Sequence, residues 1–174
     1  KFQSEIKIST TDIKYNIKHD GDLMLDFSRI HMSLDKGRAF GINPKLSGTK
    51  TKTVDRILNA DIYKKKEVRD NFNELTLKFK GNYRIVFRAY NEGIAYRFES
   101  DIKGDIIVEN ELSEFNFLHD AKAYIPYVRD NVATLESQFG NPFENIYKYE
   151  NISQWDTSRI AFLPLLVEGR NGKK

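Results

Sequence analysis

The sequence has no cysteine. That excludes disulfide frameworks, thiolate metal sites and cysteine nucleophiles, and it leaves the cellular compartment open. No apolar run approaches the roughly 20 residues of a membrane-spanning helix. Neither sign of charge dominates: 28 Lys and Arg stand against 25 Asp and Glu, a net charge of +3 mixed along the whole chain, which is not the footprint of a nucleic-acid binder. The three histidines, His19, His31 and His119, are isolated, without the HxH or HExxH spacing of a zinc site. There is no GxSxG and no recognisable serine, histidine and acid cluster. The run "SGTKTKT" (47–53) lacks the spacing of a phosphate-binding loop and reads as a basic loop, as does Lys64-Lys65-Lys66. Nothing repeats at a solenoid period. The first residue is Lys1, not Met, and the chain stops just after the apolar run in "LPLLVEGRNGKK". Both ends therefore read as those of a mature chain or a piece of a longer one.

What is present is alternation. With 174 residues, 40% of them hydrophobic, the chain is long enough for one domain over 1–174 with a core of its own. Apolar residues recur with period 2 at Ile6 and Ile8, at Ile13, Tyr15 and Ile17, and at Leu23, Leu25 and Phe27, as strands require. Asp20-Gly21 is a hairpin signal. Ile30, Met32 and Leu34 continue the alternation out of phase, which predicts a bulge near Ser28-Arg29. Residues 35–60, rich in Gly, Lys and Thr, read mostly as loop, and the β-branched start of "TVDRIL" argues against even one helical turn there. From 75 to 100 the pattern predicts a three-stranded antiparallel meander turning at Gly81-Asn82 and at Asn91-Glu92-Gly93, with Gly93 able to take positive φ. "GDIIVENELSEFNF" adds one or two strands. Beyond Asp120 the period weakens, predicting irregular loop, a short helix and a strand over 160–166. The fold class is all-β, an antiparallel β-sandwich.

"RAYNEGIAYRFES" (88–100) puts arginines on both arms of a hairpin. Arg84, Arg88 and Arg97 take the phase opposite to Tyr83, Ile85 and Phe87. That phase predicts a face of cross-strand Arg–Glu contacts worth roughly 0.2–1 kcal/mol each, or a face meeting another layer through Val86 and Tyr90. Paired carboxylates can hydrolyse glycosides, but spacing on a β-scaffold does not show which pairs meet. In "IYKYENISQW" (146–155), Glu150 sits among aromatics in what reads as an irregular loop. It is either a surface glutamate or one facing carbohydrate or calcium, a cation that prefers carboxylate and carbonyl oxygens. Asn151-Ile152-Ser153 matches the N-glycosylation acceptor by chance.

"VRDNFNELTLKF" (68–79), "IVFRAYNEGIAYRFE" (85–99), "YKYENI" (147–152) and "FLPLLVE" (162–168) follow one another in an order that resembles the amino-terminal domain of glycoside hydrolase family 97. Phe72 stands near the family's Tyr, and Glu92 replaces an Asp. The resemblance spans roughly residues 5–170 and is most specific in the hairpin. It implies a galactose-mutarotase-like β-supersandwich, here truncated, preceding a catalytic (β/α)8 barrel and a carboxy-terminal β-domain. It implies an exported, periplasmic or secreted, calcium-dependent bacterial α-glucosidase or α-galactosidase of polysaccharide utilisation. Its catalytic residues lie on the barrel, so none is assigned in this chain. The expected partners are that barrel and an oligosaccharide, with no nucleic acid and no membrane span. The expected cofactor is calcium in the full-length enzyme, with Glu150 of the Tyr149-Glu150 pair as a ligand and Glu144 as the second choice. The competing readings are a free-standing carbohydrate-binding or adhesion sandwich, and an aldose-mutarotase-like enzyme with a His–Glu pair across a sheet face.

Overall fold

Alternating residues settle as strands wherever one face can be buried. The computed structural model describes residues 1–128, 134–140 and 144–169. The contacts fall into two compact units, Lys1–Asn116 and Phe117–Lys174, described here one at a time. Among the described residues no helix is long and apolar enough to cross a membrane.

The first unit carries, in chain order, β1 (Phe2–Gln3), β2 (Ile6–Ile8), β3 (Ile13–His19), β4 (Asp22–Leu34), β5 (Ala39–Phe40), β6 (Leu46–Asn59), β7 (Glu67–Phe79), β8 (Tyr83–Ala89), β9 (Ile94–Ser100) and β10 (Val108–Ser113). One sheet runs β1-β3-β4-β10, with β2 against β3 and β5 against β4; the other runs β6-β7-β8-β9. Every pairing is antiparallel. Ile13, Tyr15, Leu25, Ile30, Leu34 and Phe40 of the first sheet are buried, as are Leu77, Phe79, Tyr83, Ile85 and Phe87 of the second, at about 1.5–3 kcal/mol for each fully buried large side chain. Across the interface the Phe40 ring stacks on Tyr83 with centroids 4.5 Å apart, and Tyr83 stacks on Phe79 at 4.9 Å. The Gly41 N–H donates to the Tyr83 hydroxyl at 3.1 Å. Two antiparallel sheets joined through an aromatic core make the expected β-sandwich.

The bulge is present one turn of the pleat earlier than the sequence phase suggests. Tyr15 pairs with Ser28 but Ile17 with Leu25, so Asp26 and Phe27 face the single residue Asn16. Asn16 is buried and engaged: its Oδ1 accepts the Glu5 N–H at 2.8 Å and its carbonyl accepts the Ser4 hydroxyl at 2.6 Å. The Asp20-Gly21 and Gly81-Asn82 turns take positive φ at all four residues. Gly93 does not.

The larger correction is in 35–60. Most of the expected loop is the 14-residue strand β6, paired with β7 from Leu46 opposite Phe79 to Asn59 opposite Glu67. It is an edge strand with no buried residue. Its Thr and Val suit extended backbone, and its lysines are what an unpaired edge tolerates.

The arginine-bearing face holds the cross-strand pairs that the hairpin suggested. Glu74 lies in register between Lys52 and Arg88 and meets both, at 3.0 and 2.8 Å. Glu99 joins Arg84, opposite it in register, to Arg97. The Arg88 guanidinium lies 4.2 Å from the Phe72 ring centroid, and Val86 is buried among these side chains.

The second unit has β11 (Lys122–Ile125), a short helix α1 (Leu135–Gln138), β12 (Lys148–Asn151) and β13 (Leu166–Val167), with sheet order β12-β11-β13. The strand expected at 160–166 is a bridge between Tyr127 and Ala161 followed by β13. Ala123, Ile125 and Tyr127 form the core, with Ile152, Trp155, Ala161, Leu165 and Val167 packed on it. The tail over 170–174 lies outside the described residues.

Gly41 offers a test of the sandwich. Its φ is +83° and an added Cβ would lie 2.8 Å from the Ile30 carbonyl oxygen and 3.2 Å from the His31 Cα, both backbone atoms that cannot swing away. Gly41→Ala is expected to lower stability in urea denaturation by more than about 1 kcal/mol. Gly93→Ala, with no neighbour within 4 Å, is expected to stay within about 0.5 kcal/mol of wild type. Equal midpoints for the two variants would contradict this account of the close approach between β4 and the chain at Gly41.

Candidate metal ligand

Glu150 stands on a strand, not in a loop. β12 pairs with β11 so that Ala123 faces Glu150, Tyr124 faces Tyr149 and Ile125 faces Lys148. Alternation then sends neighbours to opposite faces. Tyr149 and Tyr124 meet on one face, centroids 4.6 Å apart. Glu150 and Lys148 fall on the face of Ala123 and Ile125, the core residues of this unit. The methyl of Ala123 leaves room for the carboxylate beside it.

That carboxylate is 9% exposed. Its Oε1 accepts the Tyr127 hydroxyl at 2.7 Å, and its Oε2 lies 2.7 Å from Lys148 Nζ. The hydrogen bond from Lys148 and then that from Tyr127 hold its pKa below the usual carboxylate range, so it is an anion at neutral pH. Tyr127 is itself fixed. Its hydroxyl also accepts the Asp156 N–H at 2.9 Å, Trp155 packs edge-on at 5.6 Å, and the Arg159 guanidinium lies 4.7 Å from its ring centroid. Burial, and after it the Glu150 carboxylate, pushes the phenol up to about 12. Tyr127 therefore stays a donor.

Asp120 clamps the turn that follows Glu150. Its Oδ1 accepts the Ser153 N–H at 2.8 Å, and its Oδ2 accepts the Ser153 hydroxyl at 2.7 Å and the Asn151 Nδ2 at 2.9 Å. The Ile152 N–H reaches the Ala121 carbonyl at 2.9 Å. The sequon Asn151-Ile152-Ser153 is thus a local turn motif tied to β11. Tyr127, Lys148 and Asp120 carry no signal in the sequence beyond the Lys-x-Glu spacing that puts Lys148 and Glu150 on one face.

Glu144 is exposed on the irregular approach to β12; the partners of Glu150 are Tyr127 and Lys148. A calcium ion needs hard anionic oxygen; Glu150 is ionised and held in place, with Tyr127 at one oxygen and Lys148 at the other. Among the described residues no group of three or more His, Cys, Asp or Glu side chains is placed to hold a metal ion. The described residues therefore bring no coordination shell together, and Glu150 stands as a single candidate ligand.

The hydrogen bonds to Asp120 hold its pKa below the usual carboxylate value, the Ser153 N–H first among them. A depressed folded pKa means a contribution to stability present above the unfolded value near 4 and lost as pH falls through the lower folded one. The gap in Tm between wild type and Asp120→Asn is expected to be widest near pH 6 and to narrow below about pH 4. A gap constant from pH 6 to pH 2 would rule the clamp out.

The family described as "Glycosyl-hydrolase 97 N-terminal" matches residues 1–174. A retaining alpha-galactosidase of Bacteroides thetaiotaomicron is 41% identical over 163 residues, which are 93% of this chain and 25% of that protein. Among solved structures, a glycoside hydrolase family 97 enzyme in complex with acarbose, from a Pseudoalteromonas species, superposes with a TM-score of 0.75 at 17% identity, over 97% of this chain and 25% of that one. A beta-arabinopyranosidase superposes with a TM-score of 0.69 at 22% identity, over 84% of this chain and 24% of that one. The chain spans about a quarter of the length of these relatives. At these identities the solved structures bear on the fold, while the match over every residue of the chain decides its kinship: it belongs to the amino-terminal domain family of glycoside hydrolase family 97.

Proposed function

We propose that this chain is the non-catalytic amino-terminal β-domain of an exported bacterial α-glycosidase acting on oligosaccharides, with an α-galactoside the favoured substrate. It packs on the catalytic (β/α)8 barrel of the same polypeptide and lends Glu150 to a calcium ion there. The observation that carries this reading is the 41% identity to a retaining alpha-galactosidase across 93% of the chain, while covering only 25% of that protein. Identity at that level over nearly the whole domain favours a shared role within a shared enzyme.

The residues of this chain would bind and orient. Tyr127 holds Oε1 of Glu150, and Asp120 fixes the turn just after it. Calcium, when bound, would supply Lewis-acid charge next to the leaving oxygen. The sandwich unit presents paired charges on its outer sheet face, suited to a wet surface or a polar domain contact.

Two measurements test the reading. Residues 1–174 alone are expected to release no nitrophenol from aryl α-galactosides or α-glucosides, and turnover surviving purification controls would overturn the non-catalytic assignment. In the full-length enzyme, Glu150→Gln is expected to lower activity or raise the calcium requirement by at least about 10–100-fold, the loss usual for even an indirect partner of a metal. Glu144→Gln should titrate like wild type. If Glu150→Gln does so as well, Glu150 is a structural partner of Tyr127 and nothing more.

A further inference from the structure

The β6–β7 hairpin is longer than the sheet that holds it. β8 stops at Ala89, opposite Asn73, but β6 and β7 stay paired beyond that point, from Val54 opposite Phe72 to Asn59 opposite Glu67. At roughly 3.3 Å per residue the extra pairs make a two-stranded arm about 20 Å long. The Ala60 N–H closes its end on the Lys66 carbonyl at 2.9 Å. A two-stranded ribbon by itself is marginal in water. This one is braced across its strands: Arg69 takes both oxygens of Asp55, at 2.8 and 2.7 Å, and Arg56 reaches Asp70 at 2.8 Å. The arm is built to hold a shape.

Its far end is apolar where solvent reaches it. Ile62 is fully exposed, Tyr63 is 65% exposed, Ile57 57% and Leu58 40%. Ile57 and Leu58 are neighbours in β6, so their side chains leave on opposite faces, and the end of the ribbon is apolar on both. One exposed aliphatic residue is ordinary, but four at the end of a single braced projection mark a contact surface. Apolarity on both faces suits a groove that closes around the end better than a flat surface. Charge narrows the partner further. Residues 45–72 hold eight Lys and Arg against four Asp and Glu, a net +4 in a chain whose total is +3. Asp55 and Asp70 are already answered by arginines, and Lys64-Lys65-Lys66 rim the tip. A groove that complements this end is apolar inside and acidic at its edges.

We infer that the β6–β7 arm is the element by which this domain grips the catalytic part of its own polypeptide, with the end formed by Ile57, Leu58, Ile62 and Tyr63 seated in such a groove. This rests on the reading of the chain as the amino-terminal part of a larger glycosidase. The chain spans about a quarter of the length of its relatives, and a partner tethered to it is present at a roughly millimolar effective concentration. A second copy fits less well, because two arms would bring like charges together and Lys50 and Lys52 stand on the free edge of β6.

The lysines of the tip provide the test. Trypsin is expected to cut chain 1–174 first at Lys64-Lys65-Lys66. In the full-length enzyme it should cut there more slowly by about 10-fold or more, the factor for burying one aliphatic side chain when cleavage follows the open population. Ile62→Ser and Tyr63→Ser are expected to leave the Tm of 1–174 unchanged and to return tip cleavage in the full-length enzyme toward the rate of the isolated chain. Hydrogen exchange of both proteins is the second readout. Tip cleavage equally fast in the two proteins, beside slowed exchange elsewhere in residues 1–128, would overturn the inference alone. Protection that survives both substitutions would overturn it too. Tip protection of 1–174 that grows with its own concentration would put a second copy on the arm instead. Exchange no slower anywhere in this domain when the rest of the polypeptide is attached would overturn the reading on which the inference stands.

Discussion

The pairing of Ala123 with Glu150 sets the direction of the carboxylate on which the site rests. A strand has only two faces, and a slip of one residue exchanges them. In the register observed, Tyr149 and Tyr124 meet on one face while Glu150 and Lys148 are carried to the side of Ile125 and Tyr127. One residue of slip would put the tyrosine against the core and the carboxylate on the far face, away from Tyr127. The turn clamped by Asp120 resists that slip at one end of β12: two oxygens accept three hydrogen bonds from Asn151 and Ser153. The core contacts of Ile152 and Trp155 resist it from below. A half-buried anion with a fixed donor is thus a consequence of pairing and clamping more than of anything at Glu150 itself.

In the sandwich unit the corresponding constraint is the aromatic column of Phe40, Tyr83 and Phe79. Tyr83 contributes twice, through its stacked ring and through the hydroxyl that receives the Gly41 N–H. That bond draws the chain after β5 toward the second sheet. The close approach at Gly41, where a Cβ would strike the Ile30 carbonyl, allows the chain to pass there. On the outer face of the second sheet a different logic holds. Arg84 and Arg88 serve Glu99 and Glu74 across strands, Arg97 serves Glu99 along its own strand, and Val86 is buried on the same face. Glu74 is buried, so its two cations offset the cost of taking a carboxylate out of water.

How much of this was legible depended on what periodicity measures, which is burial. The meander from β7 to β9 and the strands β3 and β4 could be read because each buries, or in β9 half-buries, alternate large side chains. β6 could not: none of its 14 residues is buried, so a strand written in Thr, Lys and Asp looks like loop. β11 was hidden differently. Ala121, Ala123, Ile125 and Tyr127 alternate and are buried, but two alanines carry too little hydrophobicity to register. The family resemblance supplied Glu150, and residue type supplied its chemistry. Neither could supply its setting, because Tyr127 lies 23 residues away and meets it only through the β11–β12 pairing. The placement of Glu150 in a loop was wrong for the same reason.

Concentrating several carboxylates in one small unit would set like charges against each other and raise their pKa values, so that a domain carrying a whole calcium shell would need the metal to stabilise it. One carboxylate, matched by one lysine and one tyrosine, is neutralised locally and needs no metal to be stable. On the proposed reading, the cation site is completed only when this unit meets the residues of another. Binding energy for the metal then becomes binding energy between domains.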